Sequence, residues 1–175
     1  RDRPGSTLTV VDIAEGRVRA TLDLGHRRPH GLAWVGDGSL VAVTAAAGDH
    51  LPLVDVDSGE VERALPTGQE LSHMVAVTPD GGRAFVSDLR SGTVTVLDLG
   101  TGEVVATIAT GAGAEGVTVT PDGAEVWVTN RGEDTVSVID AVTLEVLATL
   151  DCEGFPIRAV VTGDGPLPLK IQAPD

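Results

Sequence analysis

Apolar and polar residues alternate at period two through most of this chain, in short runs that turn residues interrupt. In the clearest copy, residues 115–154, two alternating runs flank Pro121-Asp122-Gly123 and two more follow the polar loop 130–134. Such alternation is typical of half-buried strands, and the β-branched Val, Thr and Ile of these runs suit a pleated surface. The unit is therefore predicted to be four short antiparallel strands.

This unit recurs every 42 or 43 residues. Its turns begin at Val35, Thr78, Thr120 and Thr162, and in the same register an aspartate closes an alternating run at Asp12, Asp55, Asp98 and Asp140. Four-strand units of this length, which cannot bury both faces alone, indicate β-propeller blades stacked around a central channel. A β-solenoid is the alternative repeat architecture, but its coils are usually shorter. We predict an all-β chain, because no run shows an apolar stripe at helical spacing.

The repeat register makes residues 1–175 a single propeller domain or a propeller fragment. Full blades are predicted at 30–67, 73–110 and 115–151, and half blades at 6–24 and 157–172. The two strands at each end amount to one blade, and sharing it would remove two exposed sheet edges. Three arrangements fit: a ring of four blades, two copies joined as an eight-bladed ring, or an arc of a larger ring.

Two segments resemble a known repeat family. Trp127-Val128-Thr129-Asn130 followed by 135–140 resembles the YVTN-type β-propeller repeat, which is found in WD40-like bacterial and archaeal proteins, and 85–88 with 93–98 matches it more loosely. The resemblance covers roughly residues 6–165. It implies a ring of more than four blades and a periplasmic, secreted or cell-surface location. It implies a scaffold without a particular chemistry, because members of the family do many different things.

Composition narrows the class of partner. The 26 acidic residues outnumber 12 Lys and Arg for a net charge of −14, which disfavours nucleic acids and anionic membranes. With two Trp, two Phe and no Tyr, the chain lacks stacking platforms for single-stranded nucleic acids. No apolar run in the sequence is long enough for membrane insertion. The partners that fit are a protein, a small-molecule ligand, or another copy of the chain that completes the ring.

All four histidines fall on one predicted face of the propeller. His26 lies in the connection that precedes a first strand, and His30 lies at the end of that connection. His50 closes a loop between second and third strands, and His73 begins the next first strand. These side chains are candidate ligand-binding residues, since histidine titrates near neutral pH and binds metals.

Four repeat-equivalent positions are predicted to ring the mouth of the central channel, because first strands are innermost in a propeller. They are His30, His73, Glu115 and Ile157. Two imidazoles and a carboxylate suit Zn or another divalent first-row metal, and such a metal would support hydrolase or lyase chemistry. Without metal, either histidine could act as a general base. The alternative is that these residues are polar because water fills the channel.

Charged residues of the same face are further candidates for the rim of a ligand site. Arg28 ends the basic patch 26–28, Arg90 belongs to the charged loop 88–91, and Arg131 belongs to the loop 130–134. The recurring aspartates are instead predicted to cap turns. The leading interpretation is a binding scaffold that presents its loop face and channel mouth to a protein or small ligand. A metal-dependent hydrolase or lyase, and a structural fragment without independent function, are the alternatives.

Overall fold

A computed structural model describes residues 5–36 and 38–161. This part of the chain forms antiparallel sheets and contains no helix, so it holds no helix that could cross a membrane. The first sheet has two strands, β1 (Thr7–Asp12) and β2 (Arg17–Asp23). The second has β3 (Pro29–Val35), β4 (Leu40–Ala45), β5 (His50–Asp55) and β6 (Val61–Pro66). The third has β7 (Ser72–Val77), β8 (Arg83–Asp88), β9 (Thr93–Asp98) and β10 (Val104–Ala109). The fourth has β11 (Ala114–Val119), β12 (Glu125–Asn130), β13 (Thr135–Asp140) and β14 (Val146–Asp151).

Each four-stranded sheet is a propeller blade and the two-stranded sheet is a half blade, and in all of them the strands pair in chain order. The prediction of an all-β chain of four-stranded antiparallel blades is confirmed, and we number the blades 1 to 4 along the chain. The first strand predicted at 157–162 is not found in its described part, because residues 152–161 form no strand and residue 162 lies outside the described residues. A strand needs a hydrogen-bonded neighbour, and the described residues provide none for this segment. Its predicted partner, 167–172, lies outside the described residues.

The recurring aspartates cap turns, as predicted. Each closes a strand, and its Oδ1 accepts the backbone N–H three residues later at 2.7–2.8 Å: Glu15 for Asp12, Ser58 for Asp55, Thr101 for Asp98 and Thr143 for Asp140. Backbone donors to a carboxylate favour its charged form. These hydrogen bonds hold the pKa of Asp55, Asp98 and Asp140 below the usual value.

A repeated hydrogen bond joins one blade to the next. In each full blade, a hydroxyl of the second strand accepts a backbone N–H of its own first strand and donates to a carbonyl oxygen of the following repeat. The three donors are Thr44 to His73 O (2.6 Å), Ser87 to Glu115 O (2.6 Å) and Thr129 to Ile157 O (3.1 Å). The last bond shows that the 157 segment lies beside blade 4 although it is not a strand.

The core consists of three apolar layers between successive blades. Leu24 and Val54 lie in the layer between blades 1 and 2, and Leu53 and Val86 in the layer between blades 2 and 3. Phe85, fully buried, packs in the layer between blades 3 and 4. This layering brings the innermost strands β3, β7 and β11 side by side, so their amino-terminal ends share one rim.

Candidate functional site

The connection into each innermost strand passes through the same left-handed backbone conformation. The four repeat-equivalent residues are Arg28 (φ 57°), Leu71 (φ 60°), Gly113 (φ 73°) and Phe155 (φ 48°). Only glycine adopts this conformation without a steric cost from Cβ. Because the conformation recurs in every copy, it belongs to the repeat. The residues two positions later are His30, His73, Glu115 and Ile157, and the first three lie at the amino-terminal ends of β3, β7 and β11.

His30 and His73 form a stacked pair at this rim. Their ring centroids are 3.9 Å apart and their planes differ by 30°. His30 is exposed and His73 is half-buried. The Nδ1 atom of His73 is buried and has no hydrogen-bond partner among the residues that the structure describes. The site therefore combines an accessible imidazole with one whose hydrogen-bonding capacity is unsatisfied.

Burial shapes the protonation of His73. Desolvation, followed by the charge of His30, lowers the pKa of His73, while the carboxylate and backbone of Glu115 act in the opposite direction. Burial disfavours the cationic form because an uncompensated charge is costly away from water. The His73 ring is therefore neutral near pH 7. In this form its unprotonated ring nitrogen can accept a hydrogen bond or bind a metal.

Glu115 is buried at the same rim and is engaged by an arginine. Its Oε2 lies 2.7 Å from Nη1 of Arg131, an ion pair whose angles are not those of a hydrogen bond. The guanidinium carbon of Arg131 in turn lies 5.2 Å from the centroid of the Phe155 ring, a cation–π distance. Arg131 is thus held between a carboxylate and an aromatic ring. Phe155 did not emerge from the sequence as a site residue, although it is one of only two phenylalanines.

The predicted metal ligands His30, His73 and Glu115 do not form a common metal site. Within residues 5–36 and 38–161, no three His, Cys, Asp or Glu side chains are grouped so that they could hold a metal ion. The physical reason is that the two imidazoles stack on each other, while the carboxylate of Glu115 forms an ion pair with Arg131.

The other two histidines form a second pair on the same face. The ring centroids of His26 and His50 are 5.4 Å apart. The Nδ1 atom of His50 lies 2.8 Å from Oδ1 of Asp49. Both rings are half-buried. This pair resembles His30 and His73 in composition, but it lies outside the ring of innermost-strand positions.

Arg28 and Arg90 line a cavity of about 550 Å³ on the histidine-bearing face. The cavity lies where loops of blades 2 and 3 meet. Gly48, Asp49, Gly68 and Glu70 contribute to its wall. The sequence placed both arginines on this face, but it did not predict that they share a cavity.

Asp88, which the sequence assigned to the charged loop 88–91 as part of a candidate rim, is not an exposed loop residue. The residue closes β8, is fully buried, and accepts hydrogen bonds from the hydroxyl groups of Ser72, Thr93 and Thr95 at 3.0, 3.3 and 2.7 Å. Burial raises the pKa of Asp88 to about 6, although these hydroxyl groups oppose the shift. Asn130, assigned by sequence to a polar loop, takes the same buried position in blade 4. The sequence contained a signal for this equivalence, since Asp88 and Asn130 are the last residues of the repeated tetrapeptides 85–88 and 127–130.

Comparisons with known proteins agree with this architecture. The family model described as "Cytochrome D1 heme domain", an eight-bladed β-propeller, matches residues 35–160, which is most of the chain. A chain of hydrazine synthase from Kuenenia stuttgartiensis is structurally similar, with a TM-score of 0.71 and 24% sequence identity. The similarity covers 74% of this chain and 38% of that one, and at this identity it shows the fold alone. No curated protein matches the sequence. The β-propeller is thereby supported, whereas the finer resemblance to the YVTN-type repeat is not.

Proposed function

Because the chain belongs to the cytochrome D1 heme domain family, we propose that its propeller scaffold binds a heme at the channel mouth, where the His30–His73 pair faces the macrocycle. The observation that carries this proposal is the pair itself: an exposed imidazole stacked at 3.9 Å on a half-buried one whose Nδ1 has no partner within residues 5–36 and 38–161. Buried polar atoms without partners are rare in folded proteins and call for an explanation. The exposed ring of His30, stacked on His73, is the part of the pair that a ligand can reach.

The residues present fit a heme better than a bare metal ion. A bare zinc ion needs three or four protein ligands, and the described residues hold no such group. Heme iron requires only one or two axial ligands, because the macrocycle supplies the rest, and imidazole is a common one. His30 is accessible and is the residue expected to hold the iron. When bound, the heme would supply an iron centre for electron transfer or for binding a small ligand.

The neighbours of His30 would orient and tune it. His73 stacks against its ring and, since burial lowers the pKa of His73, does so without a positive charge near neutral pH. A neutral neighbour does not repel a cationic metal, whereas an imidazolium would. The Glu115–Arg131 ion pair places two fixed and opposite charges at the rim, with Arg131 lying over the Phe155 ring. Such neighbours commonly change metal affinity by about 10- to 100-fold.

Titration of the whole chain with hemin, followed by the Soret absorption band, tests this proposal. We expect saturable binding of one hemin per chain with the spectrum of an imidazole-bound iron. His30→Ala should abolish that spectrum, and His73→Ala should weaken binding by about tenfold. His50→Ala is the matched control, because it removes one ring of the other histidine pair and should leave the titration unchanged. Equal binding and equal spectra in all three variants would refute the assignment.

A further inference from the structure

A second ligand site is indicated by the cavity between the loops of blades 2 and 3. This cavity has a volume of about 550 Å³ and is lined by Arg28, Arg90, Asp49, Gly68 and Glu70, among others. The volume is in the range of small-molecule sites, but the cavity is wide open to solvent and its two arginines are exposed, so a ligand would lie in a surface depression. Neither His30 nor His73 belongs to its wall, so the site is independent of the proposed heme ligand.

Donors in this wall have no partner in the part of the chain that the structure describes. The guanidinium groups of Arg28 and Arg90 make no ion pair or side-chain hydrogen bond there. The backbone N–H groups of Gly68, Gln69 and Leu71, which also line the cavity, donate to no group in the same part of the chain. Two guanidinium groups and three free backbone N–H groups around one concavity can donate hydrogen bonds to the oxygens of an anion.

The equivalent loop one blade later shows what such a loop accepts. There the side chain of Glu133 reaches back, and its Oε1 accepts the N–H of Ala112 at 2.9 Å. The same carboxylate lies against Gly111, where a Cβ would come within 2.8 Å of Oε2. At the cavity, the residue equivalent to Glu133 is Ser91, whose hydroxyl oxygen accepts the N–H of Glu70 at 3.0 Å. One loop therefore carries its own carboxylate, and the other carries a neutral hydroxyl beside two arginines.

We propose that the cavity lined by Arg28 and Arg90 binds a small organic carboxylate. The ligand would lie beside Ser91, which already accepts the N–H of Glu70, and would use the free N–H groups of Gly68, Gln69 and Leu71. The two guanidinium groups would form paired hydrogen bonds to its carboxylate oxygens. Two acidic side chains share the wall. Asp49 is already paired with His50, whereas the carboxylate of Glu70 has no partner among the described residues and opposes the ligand. Removing the charge of Glu70 should therefore strengthen binding.

Amide chemical shifts of the whole chain, measured by ¹H–¹⁵N NMR during titration with sodium succinate at constant ionic strength, test the proposal. We expect saturable shifts at Gly68, Gln69 and Leu71, and none at Ala112, where Glu133 already occupies the loop. Sodium phosphate distinguishes the anion class, and tighter binding of phosphate would overturn the assignment to carboxylates. A linear, unsaturated response to succinate would overturn the site altogether.

Variants make this test specific. Arg28→Gln and Arg90→Gln should each weaken succinate binding by about tenfold, since each removes a charge-assisted pair of hydrogen bonds. Glu70→Gln should tighten it severalfold. Arg19→Gln, a surface arginine paired with Asp57 on another blade, is the charge-matched control and should leave the affinity unchanged. If Arg19→Gln weakens binding as much as Arg90→Gln does, succinate responds to net charge and the proposed site is wrong.

Discussion

Asp88 makes the stability of this propeller dependent on pH in a way that one substitution can isolate. The carboxyl group is fully buried between strands of blade 3. Its pKa is about 6 in the folded protein, compared with the ordinary value of 3.8. Desolvation is the cause, because it penalises the charged form.

The sign of the effect follows from proton binding. Between about pH 4 and pH 6 the folded state holds a proton on Asp88 that the unfolded state releases, so the free energy of unfolding falls as pH rises through this window. The stabilising contribution is complete below pH 3.8 and is lost above pH 6. A pKa difference of about two units corresponds to about 3 kcal/mol. At pH 7 the ionised Asp88 carboxylate therefore lowers the free energy of unfolding by this full amount.

Asp88→Asn removes the titration while keeping the polar contacts. Blade 4 already uses this solution, since Nδ2 of Asn130 donates to Ser137 Oγ at 2.9 Å and to Thr135 Oγ1 at 3.1 Å, the positions equivalent to Thr95 and Thr93. We expect the variant to match the native protein near pH 4. Near pH 7.5 it should be more stable by up to about 3 kcal/mol.

Urea unfolding of both proteins from pH 4 to pH 8 provides the measurement. The difference between them must be used, because burial lowers the pKa of His73 and makes its contribution rise with pH over part of the same window. That contribution cancels in the difference. The reverse change, Asn130→Asp, is the matched control and should lose stability as pH rises, since its carboxylate would face the carbonyl oxygen of Thr110. A difference that does not vary with pH would refute the reasoning.

Two further predictions concern the contacts between blades, and thermal or urea unfolding checks both. Ser87→Ala should lower the free energy of unfolding by about 1–3 kcal/mol, because it removes the 2.6 Å hydrogen bond to Glu115 O and leaves the N–H of Met74 unpaired. Ser87→Thr should retain stability, since threonine performs this role in the neighbouring blades. An equal loss in both variants would contradict the prediction. Gly116→Ala should lower the free energy of unfolding by about 1–3 kcal/mol, because the new Cβ would lie 2.5 Å from Ile157 O. Gly48→Ala, whose Cβ would meet nothing closer than 3.8 Å, is the control and should be tolerated, so equal effects at both glycines would argue against the close approach.

Much of the fold was predictable because its determinants are local and repeated. Alternation of side chains defines a strand within six residues, and the 42- to 43-residue register shows that the same unit returns. Turn capping by Asp55, Asp98 and Asp140 was predictable for the same reason, since donor and acceptor lie three residues apart. The register also placed His30 and His73 at equivalent positions of adjacent blades, so their proximity follows from the repeat alone.

The segment at 157–161 shows where a local pattern is insufficient. Its alternation predicts a strand, but a strand forms only when a neighbouring strand completes its ladder. Ile157 O is still reached by the hydroxyl of Thr129, as a first strand would be. The packing position was therefore predictable from the repeat, while the secondary structure depended on a partner.

By itself, the sequence determined the all-β repeat, the antiparallel blade and the ring of innermost positions, because these depend on periodicity. Only the tertiary structure decided that Arg131 forms an ion pair with Glu115, that Asp88 is buried, and that Arg28 and Arg90 share a cavity. The first two facts depend on how strands and loops pack within one blade, and the third on how loops of two blades meet. A period of two residues specifies which face a side chain lies on, but it does not specify which side chain of the next blade lies opposite.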